Sequence, residues 1–299
     1  MAPDVAIVIV TYNSAHVIAD LLDSIPAALD GLSADVVVVD NASADGTAEL
    51  VAARGDCRLV RSANTGYAGG INRGVRAAMS AEAILVLNPD VRLGDEAVPA
   101  LLAALREPHA GIAAPQLRSP AGGLEPSLRR EPTLPRALGL TRTGLAVFAE
   151  QVTRAADYAS PRTADWATGA VLAISRKCWD LLGGWDESYF LYSEETDFAL
   201  RARDAGLLTW YTPDAVAVHA GGQSGRSHAT HAMQVINRVR LYRRRHRAAP
   251  SWLYFLLILA GELSRAARGR PRSAAAAAAL LRPSRRPGQL GCRDRLMPR

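Results

Sequence analysis

Short β-branched runs alternate with amphipathic stretches over the first third of the chain. Val5–Val10, Val36–Val39 and Ile84–Leu87 are unbroken apolar runs, the pattern of strands covered on both faces. Between the first two, Val17, Ile18, Leu21, Leu22 and Ile25 share one side of a helix over Ser14–Ile25, with Ser14 placed to cap it. Asp45–Ala53 and Tyr67–Met79 read as further helices. Alternation at this spacing predicts an α/β fold with a mostly parallel central sheet flanked by helices.

The pattern breaks over 115–165, where Pro115, Pro120, Pro126, Pro132, Pro135 and Pro161 stand among glycines and serines. Long loops and a short helix near Ala137–Ala149, draped over one end of the sheet, are expected there. Regular structure resumes with a strand at Ala170–Ile174, helices at Arg176–Leu182 and Glu194–Ala205, and a last strand in which Val216 and Val218 precede His219.

Charge divides the chain. From Arg238 to Arg299 sixteen arginines meet two acids, a net +14, so the rest of this 299-residue chain carries −8 within a total of +6. A body over 1–225 and a basic, helical extension over 226–299 are the expected domains. Trp252–Ala260 is too short for the roughly 20 residues of a bilayer span. Its aromatic start and the preceding Arg243–Arg247 suit a segment lying on an anionic membrane surface. Ala274–Ala279 favours helix but offers little to pack. The arginines lack interleaved aromatics, so no nucleic-acid partner is expected. Cys57, Cys178 and Cys292 have no CxxC spacing, and the N-terminus lacks a basic n-region and cleavage site. Both fit a cytoplasmic protein, peripheral on the inner face of the cell membrane.

Candidate chemistry lies at the strand ends, where open α/β sheets bind ligands. The first strand ends in Thr11-Tyr12-Asn13, the second in Asp40-Asn41-Ala42-Ser43 and the third in Asn88-Pro89-Asp90. Asp90, held at a rigid strand end, is suited to Mg²⁺ or Mn²⁺ with positions left for a diphosphate. No GxxxxGK[ST] or GxGxxG follows the first strand, which argues against P-loop and ordinary dinucleotide enzymes. Farther on, Glu194, Glu195 and Asp197 crowd one helix start behind Ser193, more acid than capping requires, and one of them could serve as a general base. The turn Gly183-Gly184-Trp185-Asp186-Glu187 lies just upstream.

Taken in order, Ile9–Asn13, Val39–Thr47, Asn64–Asn72, Leu87–Val91, Trp166–Ala170, Gly183–Glu187 and Glu194–Asp197 resemble glycosyltransferase family 2. Within it, the likeness is to bacterial rhamnosyltransferase-like members, and it spans about residues 5–225. The resemblance implies the GT-A nucleotide-diphospho-sugar transferase fold and inverting transfer of a sugar from a nucleoside-diphosphate donor. By the same resemblance Thr11, Tyr12, Asn13, Asp40 and Asn41 would hold the nucleoside, and Gly66, Gly70 and Asn72 would shape the floor beneath it. Asn88 and Asp90 match the metal motif, Asn88 standing where its first acid would be, and His219 matches an added metal ligand. Glu195 takes the place of the catalytic base, with Glu194 and Asp197 as alternatives. Trp166, Thr168 and Gly169 would line the donor–acceptor junction and Trp185 would stack on a sugar. The branch favours dTDP-rhamnose as donor and a polyprenyl-linked glycan as acceptor, in cell-wall or surface-polysaccharide synthesis. The rival readings are a sugar nucleotidyltransferase, which usually needs a glycine-rich basic loop that Ser14-Ala15-His16 does not offer, and a membrane-surface scaffold with a degenerate transferase body.

Overall fold

The computed structural model describes residues 2–221, 227–288 and 296–297. The apolar runs form parallel strands: β1 (Val5–Thr11), β2 (Ala34–Asn41), β3 (Arg58–Ser62) and β4 (Ala83–Leu87). Their side chains alternate between two cores. Val5, Ile7 and Ile9 pack toward one and Val8 and Val10 toward the other, as strand periodicity dictates. The helices α1 (Ile18–Leu29), α2 (Thr47–Ala52) and α3 (Gly66–Ala77) connect these strands. Ser14 does not cap α1: its hydroxyl accepts from Tyr12 N, and the helix starts after a turn, at Ile18.

Beyond β4 the sheet becomes mixed. It continues through β5 (Val91–Leu93), β6 (Ala110–Arg118), β11 (Val171–Ser175) and β12 (Leu208–His219), in the order β3-β2-β1-β4-β11-β6-β12-β5. Helix α4 (Ala97–Ala104) lies between β5 and β6 in sequence. Strand β11 runs antiparallel to both β4 and β6, while β12 runs parallel to β6 and antiparallel to β5. The 115–165 stretch holds more structure than its prolines suggest. It contains the end of β6, the short strands β7 (Leu124–Glu125), β8 (Leu128–Arg129) and β9 (Arg162–Ala164), and the one-turn α5 (Leu134–Ala137). In place of one helix over Ala137–Ala149 there are only α5 and two 3₁₀ turns, because Gly139 and Gly144, both at positive φ, break the run. β10 (Trp166–Ala167) pairs with β8, and α6 (Arg176–Leu182) and α7 (Glu194–Asp204) complete the body.

The basic segment forms α8 (His228–Arg245), α9 (Ala248–Ala267) and α10 (Pro271–Leu281) around a third core. Ala276, Ala277 and Ala279 are buried in it. The alanine run is thus tightly packed, its small side chains letting α10 approach its neighbours closely. Phe190 and Tyr192, from the stretch before α7, pack against the same core. The expected boundary at 225/226, Cys292 and the last arginines lie outside the described residues.

Candidate active site

Topology gathers the site at one sheet edge. Register pairs Thr11 with Asp40 and Ile9 with Leu87, so the loops after β1, β2 and β4 leave at the same level. Because β11 is antiparallel, its start arrives where β4 ends: Val171 pairs with Leu87, and Asn88 N donates to Ala170 O at 2.9 Å. The end of β12 comes beside β5, with His219 opposite Val91.

The first two loops are stitched together. Asp40, 3% exposed, accepts from Thr11 Oγ1 at 2.9 Å and from Ser43 N at 3.0 Å. Asn13, at positive φ, accepts from Ala44 N and donates its own N–H to Ser43 Oγ. Tyr12 is 57% exposed beside this framework. Asn41 donates to Gly66 O at 2.9 Å, and its side-chain oxygen is buried without a partner. Gly66 is required where it stands: φ is +83° and a Cβ would collide with the Phe190 carbonyl. Gly70 lets α3 approach β1, since a Cβ there would lie 2.7 Å from Val10.

Asn72 and Trp185 have places other than those expected. Asn72 exchanges hydrogen bonds with the Trp185 backbone, at 2.8 and 2.9 Å, and donates to Glu187 as well; it fastens α3 to the 183–187 turn. Trp185 is 2% exposed, edge-on to Tyr67 and beside Phe198. Buried in this aromatic cluster, it offers no face on which a sugar could stack.

Asp90 and His219 meet. Their side chains, 7% and 15% exposed, approach to 3.4 Å between Asp90 Oδ1 and His219 Nε2. On the other ring nitrogen, Glu125 Oε1 lies 3.1 Å from His219 Nδ1. Burial opposes charge on this histidine, but its hydrogen bonds to the two carboxylates prevail and push the pKa up to about 9. Among the described residues no three His, Cys, Asp or Glu side chains form a ready-made metal cage. Two donors at this spacing nonetheless fit adjacent corners of a six-coordinate shell, roughly 3 Å apart for bonds of about 2.1 Å, and leave most positions for a diphosphate. Glu125 on Nδ1 would then fix the tautomer that offers Nε2.

Glu194 and Glu195 begin α7 after Tyr192 and Ser193, both at positive φ, so Ser193 supplies no side-chain cap. Each has a buried carboxylate oxygen without a partner. Burial pushes Glu194 well above the ordinary glutamate range, and the neighbouring Glu195 charge adds to it. Glu195 is also raised by burial, against the pull of backbone N–H groups and of the Arg129 charge. Asp197 is engaged elsewhere: it pairs with Arg201 at 2.7 Å, away from the cavity, which removes it as a base.

That cavity, about 320 Å³, is lined by Glu195, Thr196, Trp166, Glu150, Arg238 and Glu262 among others. It lies between α7, the 115–165 stretch and the helices α8 and α9. Gly169 links it to the sheet edge, its Cβ position 3.4 Å from Glu195, while its carbonyl accepts from Tyr67 OH at 3.2 Å. Burial and then the charges of Glu194, Glu195 and Asp90 raise the Tyr67 pKa. The loop that carries Asp90 reaches the same strand start, Asn88 N donating to Ala170 O beside Gly169, so that loop and Glu195 approach residues 169–170 from different elements. Thr168 adjoins them, its N–H donating to Ser127 O.

Sequence reasoning missed Glu125, Arg129 and the α8 side chains that hold the stretch before α7. Asn237, wholly buried, donates to Leu191 O and Tyr192 O at 2.9 and 3.1 Å. Arg240, 1% exposed, donates to Ser188 O, and Arg244 pairs with Asp186.

The model for glycosyl transferase family 2 matches residues 6–156. An N-acetylglucosaminyl-diphospho-decaprenol L-rhamnosyltransferase of Mycobacterium tuberculosis is 34% identical over 75% of this chain and 79% of its own length. A low-salt glycan biosynthesis hexosyltransferase of Haloferax volcanii is 30% identical over 68% of this chain and 62% of its own. Among solved structures, a mannosyltransferase of Pyrobaculum calidifontis in complex with GDP-Man and Mn²⁺ aligns over 98% of this chain and 84% of that one, with TM-score 0.58 and 21% identity. At that identity the likeness establishes the fold alone, which is GT-A.

Proposed function

The chain belongs to glycosyltransferase family 2, and on that premise we propose that it is an inverting, metal-dependent transferase moving rhamnose from dTDP-rhamnose to a polyprenyl-diphosphate-linked glycan in cell-wall or surface-polysaccharide synthesis. What supports this reading is that the loop carrying Asp90, through Asn88 N to Ala170 O, and Glu195, packed against Gly169, meet at residues 169–170. Tyr12 packs on the nucleobase, and Asp40, with Thr11, Asn13 and Asn41 bracing it, frames the nucleoside above Gly66 and Gly70. Asp90 and His219 would hold Mg²⁺ or Mn²⁺, which supplies positive charge for the leaving diphosphate. Glu195 takes the proton from the acceptor hydroxyl as that oxygen attacks the anomeric carbon opposite the leaving group. Trp166, Thr168 and Gly169 line the junction, and the 320 Å³ cavity receives the acceptor sugar.

Attachment to an anionic membrane surface belongs to the same reading. No helix among the described residues is long and apolar enough to cross a membrane. What supports the surface is the outer side of α9, where Trp252, Leu253, Leu256 and Leu263 are exposed, together with exposed Leu138, Leu140, Leu145 and Val147. Between residues 238 and 288 Glu262 is the sole acid, and it is 2% exposed.

The test is transfer from dTDP-rhamnose with Mn²⁺ to a polyprenyl-diphosphate N-acetylglucosamine. Glu195→Gln is expected to lower turnover roughly 10²-fold or more while donor and Mn²⁺ still raise the melting temperature. Asp90→Ala should lose that joint stabilisation. Full activity in Glu195→Gln removes the base, and metal-independent wild-type rates remove the cation.

A further inference from the structure

We propose that Arg129 is a diphosphate-binding residue, set between the Asp90–His219 pair and the Glu195 cavity. Strand β8 pairs with β10, placing Arg129 opposite Trp166, whose ring lines the cavity and lies 5.9 Å from the Arg129 guanidinium carbon. Four residues earlier Glu125 reaches His219. The segment 125–129 therefore runs from the metal-ligand candidates to the cavity wall. Within it, Ser127 has a buried hydroxyl with no partner.

Arg129, like the nearby Arg130 and Arg136, bonds to backbone carbonyls, and it also lies over the Trp166 ring; other arginines around it are taken up in ion pairs. Arg238 pairs with Glu150 and Arg203 with Glu131. Arg129 spends one nitrogen, Nη1, on the carbonyls of Pro126 and Leu128, at 2.8 and 3.2 Å. Among the described residues no carboxylate makes an ion pair with it, although Glu150, Glu195 and Glu125 are near enough to act on its charge. The two carbonyls and the indole face fix the fork in direction and leave its other N–H groups for a ligand. A planar, permanently charged fork of this kind matches phosphate oxygens in pairs. At this position the anion is the leaving diphosphate of the donor or the diphosphate that tethers an acceptor to its lipid. Either way Arg129 complements charge that Asp90 and His219 approach from the other end. The inference rests on the transferase reading above.

Calorimetric titration of the full chain with Mn²⁺ tests it, using dTDP, thymidine and a short prenyl-diphosphate N-acetylglucosamine as separate probes. Arg129→Gln is expected to weaken one diphosphate probe tenfold or more and leave thymidine unchanged, and Arg129→Lys to recover part of the loss. Loss with dTDP assigns the residue to the donor, and loss with the prenyl diphosphate assigns it to the acceptor. Unchanged binding of both diphosphates overturns the proposal, as does an equal loss for thymidine. Wild-type protein that binds none of the three overturns the transferase reading itself, a result distinct from failure of Arg129 alone.

Discussion

Two adjacent glutamates with different surroundings begin α7. Glu194 is 3% exposed, and burial and its neighbour's charge hold it protonated above the ordinary value of 4.5. A carboxyl raised in this way retains a proton that the unfolded chain releases, so its presence costs stability as pH climbs above 4.5. Glu194→Gln removes that cost. Its melting temperature should exceed that of the wild type at about pH 8 and match it near pH 4, and a constant difference across this span would show that Glu194 is not the titrating group. Glu195, which faces the cavity, is raised by burial too. The acid limb of kcat/KM is therefore expected above pH 4.5 and should vanish in Glu195→Gln. A limb that persists in that variant would assign it to another group.

At the scale of elements, α8 decides where those glutamates stand. Asn237 and Arg240 hold the carbonyls of residues 188, 191 and 192, and Phe190 O in turn accepts from Tyr67 N at the start of α3. The Gly66 turn, Glu195 and α8 are thus tied through one short stretch whose Tyr192 and Ser193 sit at positive φ, a strain that persists only under such constraint. Asn237→Ala removes two part-buried hydrogen bonds, to Leu191 O and Tyr192 O, each worth about 1 kcal/mol. The expected result is a lower melting temperature and a fall in kcat with donor KM little changed; unchanged kcat would show that α8 does not position the base. The local pattern announced β1, β2, β4, α6 and α7 because their periodicity is contained within each segment. Thr11, Asp40, Asp90 and Glu195 were equally legible, since strand ends and helix starts are where such side chains stand. Glu125 and Arg129 were not, lying in a proline-rich stretch whose strands are two residues long and are defined by distant partners. Trp185 misled for a related reason: a glycine-flanked tryptophan looks accessible until Asn72 is seen to turn it inward.

For the molecule as a whole, the exposed apolar side of α9 and the 138–147 turns are the surface through which the proposed membrane attachment would act. The double variant Leu253→Glu, Leu256→Glu changes residues 47% and 53% exposed, so the fold should survive. It is expected to remain in the supernatant when wild-type protein sediments with phosphatidylglycerol vesicles, and equal sedimentation would refute attachment through α9. Deleting 238–299 cannot serve the same purpose, because it removes Arg240 and most of the third core.

Phe190 and Tyr192 are rooted in that helical core although they precede α7 by only a few residues. Exchanging the C-terminal helices between relatives at the natural-looking seam near residue 225 would seat a foreign socket around native plugs. A chimaera that keeps turnover would have to transplant the 186–193 segment along with its cradle, so selection acting on either part is bound to leave matching changes in the other.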